Sequence, residues 1–71
     1  MPKLYKAVDS FDGEISAFTA YHGLINSTIW TYSVEEEIAL AKGRCIDRCG
    51  FYIDADDFEK RVINPIFIAE W

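Results

Sequence analysis

Apolar and polar positions follow a strand-like rhythm at both ends of the chain and a helical one in its middle. "KLYKAV" and "EISAFTAY" flank "DSFDG", where Asp12-Gly13 supplies the positive-φ residues that tight turns favour. This predicts strand, turn, strand. In the second arm Ile15, Ala17, Thr19 and Tyr21 share one face and Ser16, Phe18 and Ala20 the other, and neither face is cleanly polar. "HGLINSTIWTYS" is harder to read. Gly23 and Asn26-Ser27 act as breakers, while Thr28 to Tyr32 has β-branched and aromatic character, so a loop with a short strand or helical turn is expected.

"SVEEEIALAKGRCIDRCG" predicts an amphipathic helix over about 33–49. Ser33 and Glu36 form a capping box, in which each side chain can bond the other's backbone N–H. Glu35, Glu36 and Glu37 place negative charge at the positive end of the helix dipole, and Arg44 and Arg48 lie near its negative end. Gly50 is placed to end the helix in a left-handed cap. Gly43, inside it, is expected to mark a close backbone approach or a kink. On a helical wheel Val34, Ile38, Ala41, Cys45 and Cys49 form the stripe to be buried, with Glu36, Glu37, Arg44, Asp47 and Arg48 opposite.

Phe51 to Ile53 is a brief apolar run, Asp56 with Glu59 is suited to cap one helical turn, and Asn64-Pro65 predicts extended backbone. "IFIAEW" (about 66–71) is a C-terminal strand with Ile66 and Ile68 on one face and Phe67 and Trp71 on the other. The fold class expected is α+β. It comprises one small domain over 1–71, an N-terminal antiparallel hairpin, a helix packed on the sheet and the C-terminal strand.

A chain of 71 residues has room for one core only. Domains of this size often borrow stability from a metal, a disulfide or a partner. Cys45 and Cys49 fall on the buried stripe, where a thiol behaves as a small hydrophobe. Their three-residue separation is not the two-residue spacing of zinc knuckles and redox motifs, and a disulfide across one helical turn would strain the helix. A zinc site would need further ligands such as His22. "DADDFE" fails as a calcium loop, because Phe58, Glu59 and Pro65 stand where a ligand, the glycine and the closing glutamate belong. No cofactor and no metal are therefore expected. His22 has no partner motif for nucleophilic catalysis, and no phosphate-cradling glycine loop occurs, so the chain reads as a non-enzyme.

A net charge of −5 argues against direct nucleic-acid binding, which draws its affinity from clustered Lys and Arg. No apolar run reaches the length of a membrane span and the start lacks a signal peptide's apolar core, so a cytoplasmic protein with reduced thiols is expected. The chain is 15% aromatic, more than so small an interior can hide. Exposed aromatics mark protein-binding surfaces. The expected function is a protein-binding module, a small acidic inhibitor or regulator of a larger protein that presents a basic or nucleic-acid-binding surface. Trp30, Tyr32 and Trp71 are the candidate anchors; Glu35, Glu36 and Glu37 with Asp54, Asp56 and Asp57 form the candidate charged rim. Two other readings are a subunit that self-assembles into a homodimer through the C-terminal strand, and an acidic nucleic-acid mimic for a basic groove. In size, acidity, aromatic content and hairpin–helix–strand plan the chain is similar in style to small phage-encoded accessory proteins that block a host factor, a resemblance of type that transfers no site.

Overall fold

A computed structural model describes residues 1–44 and 55–71, and the side chains of all of these except 55–57. The elements run β1 (Lys3–Asp9), β2 (Ile15–Tyr21), β3 (Leu24–Ile29), α1 (Val34–Arg44), α2 (Ala55–Arg61) and β4 (Val62–Glu70). The four strands form one antiparallel sheet in the order β3-β2-β1-β4, an α+β architecture with the expected hairpin, main helix and C-terminal strand. Asp9 N–H donates to Glu14 O at 2.9 Å to close the first hairpin, and Gly13 takes a φ of 77° within its loop.

The stretch read as a loop is a regular edge strand, β3. Its signal is His22-Gly23, with φ values of 51° and 79° between the paired residues Tyr21 and Leu24. Positive φ at both central residues is the two-residue turn whose twist matches that of the flanking strands.

Both faces of the sheet carry a helix, which explains why β2 has no polar side. The pairing register puts Leu4, Lys6 and Val8 on one face with Ile15, Ala17 and Thr19. There α1 sets Ala41 and Ile38 against Leu4 and Ala17, with Trp30, Ile68 and Trp71 around them. The other face carries Ala7, Phe18 and Ile25, covered by Phe58 of α2. An aromatic chain runs across it: Phe18–Phe58 at 5.6 Å, Phe58–Tyr5 at 5.9 Å and Tyr5–Phe67 at 5.8 Å between ring centroids. At its margin the fully buried Asp9 accepts from Arg61 of α2, Nε to Oδ1 at 2.8 Å and Nη2 to Oδ2 at 2.7 Å.

Four further expectations change. The buried stripe of α1 is rotated, so that Glu37 faces inward at 0% exposure while Val34 is open to solvent. The cause is a partner that the helical wheel does not contain, the Thr31 N–H of the preceding loop, together with Arg44 two turns along the same helix. Asn64-Pro65 is not extended: Asn64 has a φ of 51° within a register irregularity of β4. A second irregularity lies between the partners of Leu4 and Tyr5, and it sends Ile68 and Trp71 to the α1 side together while Phe67 goes to the other. Gly43 has nothing within 4 Å of the position a Cβ would take, so no close approach among the described residues requires it. Cys45, Cys49 and the proposed Gly50 cap lie outside the described residues.

Candidate interaction surface

The link from β3 to α1 is short and pinned on both sides of Tyr32. Upstream, Trp30 N–H donates to Ile15 O at 3.1 Å, and its half-buried ring lies 5.0 Å from the Lys6 ammonium, a cation–π contact. Thr31 N–H donates to Glu37 Oε1 at 2.6 Å. Downstream, Ser33 caps α1 by accepting from Glu36 N–H at 3.1 Å through its hydroxyl and from Glu37 N–H at 3.1 Å through its carbonyl.

Between these anchors Tyr32 projects into solvent at 105% relative exposure. A fully buried carboxylate thus fixes the backbone next to a fully exposed aromatic ring. Burying a carboxylate is costly unless it is paired and hydrogen-bonded. Here Arg44 Nη2 stands 3.6 Å from Glu37 Oε2, a charge contact one face along the same helix. Ile29 and Val34 are exposed on either side of Tyr32, and Glu35 and Glu36 are exposed at the positive end of α1.

Of the residues singled out from sequence, Tyr32, Glu35 and Glu36 come together at this loop and helix start. Trp30 is half-buried, and Trp71 packs into the same core cluster, with its N–H donating to Pro2 O at 3.1 Å. Glu37 is interior and supports the loop instead of bordering it. Asp54 lies outside the described residues, as do the side chains of Asp56 and Asp57. Their helix covers the sheet face opposite α1, so the two acidic blocks open helices on opposite faces.

A second exposed surface lies at the far edge of the sheet, where sequence reading missed a detail. Val8 of β1 pairs with Ile63, and Lys6 pairs with Ile66, so both isoleucines stand on the α1 face although three residues apart. Strict alternation would put them on opposite faces. The positive-φ Asn64 and Pro65 absorb the extra residue as a bulge. The result is an open apolar recess of about 200 Å³, lined by Val8, Ile15, Ile63, Ile66 and the Lys6 stem. Asn before Pro inside an apolar strand was the available signal.

His22 sits in the β2–β3 turn with its ring 4.1 Å from that of Tyr21. Among the described residues no group of three or more His, Cys, Asp or Glu is placed to hold a metal ion, and no helix is long and apolar enough to cross a membrane. Among the described residues, Asp9 is an acid shifted from its ordinary range. Its hydrogen bond from Arg61 holds its carboxyl below the usual range against the opposing cost of burial, with help from Phe11 N–H at 2.9 Å. It is tied up in packing and faces no open site. Comparison with protein-family models, curated proteins and solved structures finds no match to the chain.

Proposed function

We propose that this chain is a non-enzymatic protein-binding module, a small acidic inhibitor or regulator that acts on a larger protein. Tyr32 is the anchor and Glu35 and Glu36 are the charged rim. The observation that carries this reading is the pinned loop: Glu37 and Ser33 fix the backbone on both sides of a tyrosine that contributes nothing to the core. A ring presented from a rigid backbone loses little entropy on binding, and tyrosine is enriched among residues that dominate binding energy. The acidic rim and the net charge of −5 call for a basic partner surface, such as the nucleic-acid groove of another protein.

The test is capture of partners on the immobilised chain from nuclease-treated lysate, at moderate and raised salt, followed by kinetics with the purified partner. Tyr32→Ala is expected to weaken binding by about 30-fold, the effect of losing one hot-spot side chain. Glu35→Lys with Glu36→Lys is expected to slow association and flatten its salt dependence. A stoichiometric partner that binds both variants as it binds the wild type would overturn the assignment of the surface. Absence of any partner would overturn the function.

A further inference from the structure

β4 is an edge strand and the most exposed element of the sheet. Ile66 is 57% exposed on the α1 face and Phe67 55% exposed on the α2 face, so neither helix covers them. A strand with apolar residues open on both faces and one edge unpaired within the described residues invites a further strand. The recess beside Ile63 and Ile66 continues that apolar surface inward toward Val8 and Ile15.

The charges along β4 say which strand fits. Within Val62–Glu70 the only charged residue is Glu70, at the end of the strand. Immediately before the strand come Lys60 and Arg61. Arg61 is engaged by Asp9, which leaves the exposed Lys60 as the free cation of that end among the described residues. Lys60 belongs to α2, on the Phe58 face, and the register puts Glu70, opposite Lys3, on that same face. Glu70 stands 4.0 Å from Lys3 within the chain and keeps 40% of its side chain exposed, so an exposed cation stands at the head of the strand and an exposed anion at its tail, on one side of the sheet. Antiparallel pairing of two such strands sets each head against the other's tail.

We propose that a second copy of this chain occupies the β4 edge, antiparallel about a two-fold axis near Ile66. Lys60 of each chain then lies beside Glu70 of the other, and the two apolar recesses are brought side by side. A two-fold contact of this kind is self-complementary and closes on itself, using the β4 edge of both copies. Pro65 supplies no N–H and the bulge interrupts the ladder locally, so burial of Ile66 and Phe67 carries the contact more than a full set of backbone bonds. β3 forms the opposite edge of the sheet, so the Tyr32 loop that follows it stays accessible in the pair. The proposal is independent of the partner-binding role given to Tyr32.

Mass measurement across a concentration series tests it, by light scattering after gel filtration and by sedimentation equilibrium. The expected result is a species of twice the 8.2 kDa chain at high concentration, giving way to monomer on dilution. Ile66→Asp is expected to yield monomer with unchanged circular dichroism. Lys60→Glu and Glu70→Lys, both surface changes, are each expected to weaken association on the order of tenfold, since symmetry repeats each pair twice. The double swap Lys60→Glu/Glu70→Lys is expected to restore it. A monomer at the highest soluble concentration, or a dimer indifferent to both single reversals, would overturn the proposal. Tyr32→Ala is expected to leave the mass unchanged, so the two readings fail separately.

Discussion

Replacing Asp9 by Ala removes the hub that joins β1, the first hairpin loop and the end of α2. The carboxylate accepts from Arg61 Nε at 2.8 and 2.9 Å, from Arg61 Nη2 at 2.7 Å and from Phe11 N–H at 2.9 Å. Removing one partner of a buried ion pair costs about 3–5 kcal/mol, because the other charge is left uncompensated. The lower end applies here, since the Arg61 side chain keeps 31% exposure and can turn to water. A loss of about 3 kcal/mol is large for a domain of this size, whose core supplies only about 3–5 kcal/mol. Asp9→Asn keeps an acceptor for Phe11 N–H and is expected to lose about half as much. The assay is urea unfolding by circular dichroism and tryptophan fluorescence at pH 7, with Arg61→Gln and the double variant completing a thermodynamic cycle. Acid adds a second readout. Asp9 has a folded pKa below its ordinary 3.8, so its contribution is complete above that value and is lost as pH falls through the folded pKa. Wild type should lose stability below about pH 4 more steeply than Asp9→Asn. A coupling energy under about 0.5 kcal/mol, or parallel acid profiles, would refute the reasoning.

Asn64→Gly should leave stability unchanged or raise it slightly in the same urea assay. Asn64→Val should lower it by about 1–2 kcal/mol, the cost of a left-handed backbone for a residue with a branched Cβ. Glu37→Ala should cost about 3 kcal/mol, because it strands Thr31 N–H and leaves Arg44 without its carboxylate. Glu37→Gln, which retains an acceptor, should cost less. Hydrogen exchange read by NMR should then show faster exchange at Thr31 in Glu37→Ala alone, and equal rates in both variants would argue against the pinned loop.

Much of the architecture was legible because local rules and tertiary packing agree. Asp12-Gly13 turns the first hairpin, Ser33 caps α1 where the capping box predicts, and the C-terminal apolar run pairs as a strand. β3 was obscured by Gly23 and by Asn26 and Ser27, which favour turns as isolated residues; here Gly23 sits in the tight turn, and Asn26 and Ser27 face covered sides of a sheet. The candidate site was legible in part. Tyr32, Glu35 and Glu36 stand out by type and position, and exposure brings them together. Glu37 could not be read correctly from a wheel, which assigns every carboxylate to solvent. Only the Thr31 N–H and Arg44 reverse that assignment, one from a preceding loop and one two turns along. The recess at Ile63 and Ile66 depends on a bulge, and a one-residue slip in strand register is invisible to a count of alternating residues.

The strand order sets a sequence of events in time. β1, β2 and β3 form a meander of neighbouring segments, each pairing with the next. β4 must return to β1, and the Asp9–Arg61 pair spans 52 residues. Closing that loop costs entropy before any contact repays it, so the meander forms first and β4 docks late. Contacts made after the rate-limiting barrier govern how fast a protein opens, not how fast it closes. The Asp9–Arg61 pair is then a brake on unfolding: in stopped-flow chevrons Asp9→Asn should steepen opening in time while leaving the refolding limb nearly untouched, and a slowed refolding limb would place β4 in the nucleus. Until that last docking step, the β1 side later filled by β4 is an open edge, and for that interval the half-made domain is exposed to strand pairing with any neighbour.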